Sequence, residues 1–586
     1  MDNNNTTNTT TTVTPIPNNS LTHTITTLQS ILSTTNLDQD RRTLPIIPAS
    51  VPGLTQLQAH ILGTPTQTQA ARLTGSGTGS SSESESDSSS GSDSDSDALS
   101  RLATHLAHDI LPYLNLASLS PNYYGFVTGG ATPAALLGDF LASVYDQNVQ
   151  VHLPRDTAAT ALEVAALNRL VRLFRLPEAE WAIGGAGPGG GTFTTGATAS
   201  NVLGLALGRE YVLRRALERK TKAGLSAGAE AESSSPDESF SCGDYGIAEL
   251  MVQAGVRRIQ VLSTLSHSSM AKAASVVGIG RRNVVSILAA HNDNDNDTSL
   301  NPLQIDIDRL ETEARKSKQD GGVLSILTLS AGEVNTGRFA TDSYDAMVRV
   351  RRICDEYGVW IHVDGAFGLF GRLFDPEEEK INKEEHEEPN KKEHEDEYPG
   401  YREITRAVQG LELADSITAD CHKLLNVPYD CGVFFTRHKA LSELVFGNGN
   451  AAYLTSGANN NGGSGGDGGD RIQSPLNIGL ENSRRFRALP VYCTLAAYGR
   501  EGHLDMLKRQ IALARRVTKW LLQDARFEAK NADFVTNVNA TRHIYLTGTV
   551  WRGKPAARIA VSNWQVDVER DANIIQDVLH RAVGES

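Results

Sequence analysis

The amino-acid sequence predicts an α/β fold with a mostly parallel central sheet flanked by helices. Apolar runs of strand length alternate with longer amphipathic stretches, and tight hairpin signals between them are few. The predicted buried strands are Ile259–Leu262, Val323–Leu329, Val359–Val363 and Gly432–Phe435. In a sheet of this kind ligands bind beyond the carboxyl ends of the strands, so the residues that follow each run are candidates for a site.

Helical patterns lie between these runs. In Ser343–Tyr357, apolar side chains recur at spacings of three and four residues along one face, which predicts a helix. Val202–Tyr211 (VLGLALGREY) carries a second strong helical pattern. The short apolar stretch Asp415–Thr418 is predicted to be a turn.

Residues 1–98 are predicted to form a mostly disordered tail, and ordered sequence is predicted to begin near Ala98. The tail is Thr/Asn-rich and then Ser/Asp/Glu-rich, so it cannot bury enough apolar surface to offset chain entropy. Leu28–Leu32 and Leu54–Leu62 hold enough apolar residues for short helices. The acidic Ser tract is either a phosphorylation target or simply a solvated tail.

Three later stretches are predicted to be loops inserted into the ordered part, because none has the apolar periodicity of a packed element. Gly224–Ser241 is small and polar, Pro376–Gly400 is charged throughout, and Ala458–Asp470 is rich in Gly and Asn.

Composition limits the possible classes of function. At 586 residues the chain is too long for one compact core. A net charge of −14 argues against a nucleic-acid or membrane-surface role, since either needs a basic face. The five scattered cysteines form no zinc-binding spacing and predict a reduced intracellular protein. No apolar run has the length of a membrane span, and the N-terminus has no signal-peptide pattern, so a cytoplasmic location is expected.

Two short motifs are suited to chemistry on an aldehyde or a ring. Lys423, preceded by His422 and followed by apolar residues, is in a setting where desolvation lowers an amine's pKa, although such a Lys is usually a surface residue. Asp364 ends an apolar strand and is followed by small residues that include Ala366, so a flat ring could approach the backbone. The alternative for Asp364 is an ordinary turn residue.

Two further motifs precede helices. Gly189–Asn201 (GGGTFTTGATASN) places small and hydroxyl residues before a helix, where free backbone N–H groups bind an anion such as phosphate. An ordinary helix cap behind a glycine linker explains this segment equally well. Ser266–Ser269 (SHSS) follows a strand, so His267 could lie over an aromatic ring or simply cap a helix.

The order of these motifs resembles the pyridoxal-phosphate (PLP)-dependent amino-acid decarboxylases, the family that includes glutamate and aromatic-amino-acid decarboxylases. The resemblance runs from about Ser118 to beyond Gly502, with TGATASN, SHSS, AGEVNTG, HVDGAF, HK, AAYL and SRRFRAL in family order. It implies a type I PLP-dependent transferase fold with a smaller α+β C-terminal domain. It also implies that the protein acts as a homodimer, in which a mobile loop reaches the neighbouring subunit's site.

The resemblance assigns roles to residues of this sequence. Lys423 would hold PLP as a Schiff base, and Asp364 would keep the ring nitrogen protonated. Tyr453, in AAYL, would protonate the substrate carbon as general acid. Arg484 would bind the substrate carboxylate, with Arg485 as the alternative. The other implied cofactor contacts are the phosphate-binding Ala197, Thr198 and Ala199, the ring-stacking His267, Ala366 behind the ring, and the nearby His422.

The division implied for the chain is a tail over 1–98, a helical dimer and substrate segment over 99–165, a large PLP-binding domain over 166–440, and a mobile loop with a small domain over 441–586. The roles of the helical segment in dimerisation and substrate contact rest on the resemblance, as does substrate contact by Tyr123. The Tyr123 region is at least as consistent with core or interface packing.

The expected reaction is decarboxylation of an L-amino acid to its amine, with an aromatic amino acid as the favoured substrate class. The alternatives are decarboxylation with oxidative deamination, carbon–carbon cleavage on the same fold, or a non-catalytic interaction protein. Glu333 stands where the family often has Thr, and Cys421 stands where better-known members have Pro. A carboxylate at position 333 could change cofactor electronics or substrate charge preference.

Overall fold

The structure is a computed structural model that describes most of the chain. The described residues are 20–34, 45–53, 55–56, 93–185, 187–226, 241–289, 303–319, 322–376, 401–447, 472–528 and 533–583. Most of the predicted tail and of the predicted helix over Leu54–Leu62, nearly all of the three predicted insertions, and Tyr453 lie outside these ranges.

The chain divides into two compact units. One comprises Met1–Tyr123, Asp533–Tyr545 and Val578–Ser586, and the other comprises Tyr124–Ala532 and Leu546–Asp577. These units combine segments that are distant in sequence, whereas the four domains predicted from sequence are consecutive, and that four-part division stays a prediction.

A seven-stranded sheet forms the centre of the larger unit, with strand order β1-β7-β6-β5-β4-β2-β3. Strands β2, β3, β4, β5 and β6 form the parallel part of the sheet, whereas β7 runs antiparallel to both β1 and β6. The sheet strands are β1 (Gly190–Thr194), β2 (Val256–Ser263), β3 (Val284–Ser286), β4 (Gly322–Ser330), β5 (Trp360–Asp364), β6 (Ser416–Asp420) and β7 (Gly432–Thr436). A separate antiparallel pair is formed by β8 (Thr547–Trp551) and β9 (Lys554–Arg558).

Helices surround this sheet and complete the smaller unit. In chain order the α-helices are α1 (Ser20–Thr34), α2 (Asp93–His105), α3 (Pro133–Tyr145), α4 (Ala159–Leu173), α5 (Glu178–Trp181), α6 (Ala197–Ser226), α7 (Cys242–Tyr245), α8 (Ile247–Ala254), α9 (Ser268–Val276), α10 (Ile307–Arg315), α11 (Tyr344–Tyr357), α12 (Arg402–Ala407), α13 (Cys421–Leu424), α14 (Lys439–Phe446), α15 (Ala488–Leu521), α16 (Phe534–Ala540) and α17 (Val568–Val583).

The predicted elements are confirmed where periodicity was clear. All four predicted strands exist, and β4 is buried along its whole length, as expected for a parallel strand covered on both faces. Helix α11 begins after Ser343, whose hydroxyl accepts the Ala346 N–H at the helix start. The predicted helix over Val202–Tyr211 is the middle of the longer helix α6.

Two predictions about local structure were wrong. Residues Asp415–Thr418 are not a turn but enter β6, which pairs with β5 and β7 and is packed against α6, so its polar side chains are buried. The glycine run near residue 190 contains β1, which pairs with β7 at the sheet edge. The predicted Leu28–Leu32 helix is confirmed as part of α1, and α2 begins at Asp93, close to the predicted start of ordered sequence near Ala98.

Helix α6 packs closely on the sheet because two of its glycines face large β5 side chains. A Cβ atom on Gly204 would lie 2.4 Å from Nδ1 of His362, and one on Gly208 would lie 2.8 Å from Cδ1 of Trp360. Both distances are shorter than any normal carbon contact, so these glycines permit the close approach. Among the described residues, no helix combines the length and apolar character needed to cross a membrane.

We expect Gly204→Ala to lower the free energy of unfolding by about 1–3 kcal/mol, because the added methyl group overpacks the contact between α6 and His362. Gly548→Ala is the matched control, since a Cβ at position 548 meets nothing within 4 Å. Urea unfolding followed by circular dichroism measures both variants. Equal stability of the two would show that α6 can move away from β5 at little cost.

Candidate active site

A cavity of 440 Å³ lies beyond the carboxyl ends of strands β2, β4, β5 and β6 in the larger unit. Its position is the one that the parallel sheet predicts for a ligand, and its volume lies in the range of small-molecule sites. The structure brings all of the predicted cofactor residues to its wall: Ala197, Thr198, Ala199, His267, Asp364, Ala366, His422 and Lys423. Their roles stay predictions, but their convergence is a feature of the fold.

Lys423 forms an ion pair that the sequence analysis missed. It lies on α13, directly after β6, and its Nζ is 2.8 Å from Oδ2 of Asp420. The other carboxylate oxygen of Asp420 accepts the backbone N–H of Ala197 at 2.6 Å. One buried carboxylate therefore joins the lysine to the beginning of α6. The signal in the sequence was an acidic residue three positions before the lysine at a strand end.

The beginning of α6 is oriented towards the cavity. Residues 195–199 line it, and helix α6 runs for 30 residues from Ala197. The first N–H groups of a helix have no intrahelical acceptors, and the helix dipole places partial positive charge there. Thr194 and Ser200, whose hydroxyls are 2.8 Å apart, hold the turn between β1 and α6. This end of the cavity is suited to an anionic group such as a phosphate.

Asp364 and Ala366 occupy the opposite part of the wall, at the end of β5. The side-chain amide of Asn201 donates to Oδ2 of Asp364 at 2.9 Å, and the backbone N–H of Ala366 donates to Oδ1 at 3.3 Å. The Ala366 carbonyl in turn accepts the N–H of Asp420 at 2.9 Å, so the two strand ends are fixed to each other. The carboxylate is therefore held in one orientation at the cavity wall.

The two predicted histidines differ in their surroundings. His267 caps α9, because its Nδ1 accepts the Ser269 N–H at 3.2 Å, and it also lines the cavity; the two readings of the sequence are compatible. His422 is buried, and burial lowers its pKa despite the opposing effect of nearby Asp420. Its ring lies 4.4 Å from that of Tyr429, an aromatic cavity residue that the sequence analysis did not single out.

Glu333 lines the cavity, but its carboxylate is committed to its own turn. Oε2 accepts the backbone N–H groups of Asn335 and Thr336 and the Thr336 hydroxyl, at 2.9–3.0 Å, while Oε1 accepts the Asn335 amide at 2.9 Å. Four donors therefore compensate this charge locally. The geometry is that of a turn-stabilising residue, and it does not support the expected effect on cofactor electronics.

The structure places Arg484, the residue predicted to bind the substrate carboxylate, away from the cavity wall, and this geometry does not support the predicted role. Its guanidinium is fully buried and forms a 3.0 Å ion pair with buried Glu163. It also donates to the Val149 carbonyl, the Thr192 hydroxyl and the Phe193 carbonyl. Arg484 does not line the cavity, and neither does the alternative Arg485, which pairs with Asp139 at the surface. The motif resemblance could not reveal this partner, because Glu163 is 321 positions away.

Tyr123 is likewise not a wall residue of this cavity. It belongs to the smaller unit, is 5% exposed, and stacks on Tyr545 with ring centroids 5.1 Å apart. This is the packing role that the sequence analysis kept as the alternative. Tyr453 lies outside the described residues.

The parallel sheet with its antiparallel β7, and a lysine, an aspartate and a helix N-terminus around one cavity, define a PLP-dependent enzyme fold. Residues 399–540 match the pyridoxal-dependent decarboxylase conserved domain. This match confirms the resemblance stated from the motifs, together with PLP as the cofactor of that enzyme class.

Individual relatives are distant. The chain is 26% identical over 332 residues to L-2,4-diaminobutyrate decarboxylase of Acinetobacter baumannii, a match that covers 56% of this chain and 51% of that protein. The chain thus matches about half the length of that relative. It is 23% identical over 466 residues to aromatic-L-amino-acid decarboxylase of Sus scrofa, covering 76% of this chain and 79% of the relative.

Solved structures show the same fold. A crystal structure of Oryza sativa TDC with PLP and tryptamine aligns with a TM-score of 0.68 at 19% identity, covering 98% of this chain and 99% of that one. Catharanthus roseus tryptophan decarboxylase in complex with L-tryptophan aligns with a TM-score of 0.64 at 18% identity, covering 97% and 99%. The predicted type I fold is confirmed.

The residues present fit PLP. The cavity has an amine for the aldehyde in Lys423, a carboxylate for the protonated ring nitrogen in Asp364, and a helix N-terminus for the phosphate. Ala366 also lines the cavity, and its side chain is only a methyl group, which leaves space for a flat ring. The donor set therefore matches the three polar parts of the cofactor.

We expect Arg484→Met to lower the free energy of unfolding by about 3–5 kcal/mol, because it leaves Glu163 buried without its partner. The neighbouring Arg485→Ala is the control and is expected to cost about 0.2–1 kcal/mol, as for an exposed ion pair. Chemical unfolding of both variants, alongside their KM values, makes the comparison. An Arg484→Met protein of unchanged stability but strongly raised KM would restore the substrate-binding role.

Proposed function

We propose that this protein decarboxylates an L-amino acid to the corresponding amine and CO₂, with an aromatic amino acid as substrate. The observation that carries the proposal is the convergence of Lys423, Asp364 and the start of α6 on one cavity at the carboxyl ends of the sheet strands. The conserved decarboxylase domain and the decarboxylase relatives support the reaction class.

When bound, PLP supplies an electron sink for the pair left on the substrate carbon as CO₂ departs. The chain's own residues provide the binding and the protons. The N–H groups at the start of α6 would hold the phosphate, Asp364 would keep a proton on the ring nitrogen, and His267 lies at the cavity wall. Asp420 lies 2.8 Å from the Lys423 amine and fixes its position at the cavity wall, where the amine can act as a nucleophile towards the cofactor aldehyde.

Protonation of the substrate carbon is proposed for Tyr453, the tyrosine of the AAYL motif. A phenol is a suitable general acid for a carbanion-like carbon. Retention of this tyrosine favours amine formation, because its loss accompanies the aldehyde-forming variants of the family. The role rests on the motif resemblance.

The aromatic preference is supported by the cavity wall and by the relatives. Phe367 and Tyr429 both line the cavity and offer faces on which an aromatic side chain can pack. The relatives include an aromatic-L-amino-acid decarboxylase and tryptophan decarboxylases. The residue that binds the substrate carboxylate is not assigned, because Arg484 does not line the cavity.

The test is amine and CO₂ formation across the common amino acids plus DOPA, with PLP added. We expect one aromatic substrate to give an amine, and Lys423→Ala to reduce turnover to background while folding normally. Lys508→Ala, an exposed lysine on α15, is the matched control and is expected to behave as wild type.

Other products of the same assay decide between the remaining reactions. Aldehyde with ammonia and peroxide would replace simple decarboxylation by the oxidative reaction, a candidate because phenylacetaldehyde synthase of Arabidopsis thaliana is 21% identical over 472 residues. Lys423-dependent turnover of only non-aromatic amino acids would contradict the substrate preference. Undiminished activity in Lys423→Ala would show that another lysine carries the cofactor.

We further propose that the protein acts as a homodimer, and the surface of α3 supports this. Small residues on one face, including Gly138, pack against α15, where a Cβ on Gly138 would lie 2.7 Å from the Cα of Pro490. The opposite face is an exposed apolar stripe: Leu136, Leu137, Phe140, Leu141, Val144 and Tyr145, each 38–68% exposed. A contiguous apolar surface of this kind is typical of a subunit interface.

The expected solution mass is twice the 63.1 kDa of the chain. Leu137→Glu is expected to shift the protein towards monomer, because a charge at the centre of an apolar interface is costly to desolvate. Val252→Glu is the control, since Val252 is 77% exposed but lies on α8. Light scattering after gel filtration measures the mass. A dimer in both variants, or a wild-type monomer, would exclude the α3 stripe as the interface.

A further inference from the structure

We propose that Asn201 is a positioning residue that fixes Asp364 and His267 for the cofactor, and that a buried one-directional chain of hydrogen bonds fixes Asn201. The inference rests on the proposed function, in that it takes Asp364 to face the ring nitrogen of PLP. It concerns side chains of Asn201, His362, Ser416 and Ser269, to which the motifs assigned no role.

Asn201 lies one turn into α6 and is fully buried. Its Nδ2 is 2.9 Å from Oδ2 of Asp364 and 3.2 Å from the hydroxyl of Ser269, and its Oδ1 is 2.8 Å from Nε2 of His362. All of its amide hydrogens and its carbonyl oxygen therefore have partners. Since an ionised carboxylate only accepts hydrogen bonds, the –NH₂ group must face Asp364 and the oxygen must face His362.

This orientation determines the tautomer of His362. The ring must carry its hydrogen on Nε2 to donate to Asn201, so Nδ1 must accept the hydroxyl hydrogen of Ser416, 2.8 Å away. Ser416 then has its oxygen free to accept the indole N–H of Trp360 at 3.1 Å. Burial lowers the pKa of His362 to about 3, so the ring is neutral at ordinary pH and has only one N–H to donate.

The resulting chain donates in a single direction, from Trp360 through Ser416, His362 and Asn201 to Asp364. The geometry of the strands produces this chain. Trp360, His362 and Asp364 occupy every second position of β5, so their side chains share the face that α6 covers. His362 is directly paired with Ser416 on β6. Low local polarity strengthens each of these bonds and makes a break in the chain costly.

A second branch reaches the other predicted ring contact. Ser269 accepts from Asn201 and lies 2.9 Å from Nδ1 of His267, which already accepts the Ser269 N–H and is therefore the unprotonated ring nitrogen. One amide group thus sets the position of the carboxylate and of the histidine on the cavity wall. Alanine at position 201 would free both.

The test compares PLP with its 1-deaza analogue, in which C–H replaces the ring nitrogen, by titrating apoenzyme and following cofactor absorbance. Wild type should prefer PLP. Asn201→Ala should weaken PLP binding by about 10- to 100-fold, the range for a lost hydrogen bond to a charged group, while binding of the analogue, which is affected only by the loss of His267 positioning, weakens less. The lost preference for the ring nitrogen is the signature of positioning. Equal weakening for both cofactors, or no weakening at all, would overturn the proposal.

Variants of His362 test the direction of the chain. His362→Gln retains an N–H donor towards Asn201 and is expected to keep the preference for PLP, whereas His362→Leu is expected to lose it. Loss of the preference in both, with folding intact, would contradict the directional chain. If His362→Leu fails to fold, the Asn201→Ala titration still decides.

Failure of the proposed function is distinguishable from failure of this inference. Asp364→Asn should abolish the preference for PLP over the analogue; if the preference survives, Asp364 does not face the ring nitrogen and the assumed cofactor geometry is wrong. A wild type that binds PLP but produces no amine removes the decarboxylase proposal and leaves the titration results valid. If Asn201→Ala keeps the wild-type preference for PLP over the analogue and Asp364→Asn loses it, only the proposed role of Asn201 is overturned.

Discussion

The Asp420 carboxylate is the contact on which the active-site geometry depends. It is 3% exposed, and it joins the Lys423 ammonium to the backbone N–H of Ala197 at the beginning of α6. The lysine and the beginning of α6, where we propose that the phosphate binds, belong to segments separated by more than 200 residues. A buried carboxylate needs both partners, since an unpaired charge in this position would be costly. The residues that are predicted to bind the two ends of the cofactor are therefore held at a fixed distance from each other.

The sheet supplies the frame for this contact. Because β5 and β6 are parallel neighbours, Asp364 and Asp420 emerge at the same edge of the sheet, and the N–H of Asp420 bonds to the carbonyl of Ala366. Helix α6 covers both strands at a distance that Gly204 and Gly208 make possible. Close packing of the helix thus brings Asn201 within hydrogen-bond reach of the strand ends.

Much of the fold and of the cavity was predictable from the chain alone. Buried parallel strands such as β4 are continuous apolar runs, and α11 has an apolar face at helical spacing, so each carries a local signal. The predicted cofactor residues came together in the cavity because their motifs occur in a fixed order. Strand β6 was missed because Ser416, Thr418 and Asp420 are polar, and their burial depends on α6 packing against the sheet, which the local sequence does not show. The motif of Arg484 likewise does not show whether its side chain faces the cavity or the core.

The sequence by itself determined the fold class, the cofactor and the eight predicted cofactor residues that line the cavity, because periodicity and ordered motifs are local properties of the chain. The tertiary structure alone decided which charges are paired. Glu333 is compensated within its turn, Arg484 is neutralised by Glu163, and Asp420 is joined to Lys423. It also decided that Asn201 lies between Asp364 and His362. These outcomes depend on which distant segments pack together, and burial then requires each polar group to find a partner.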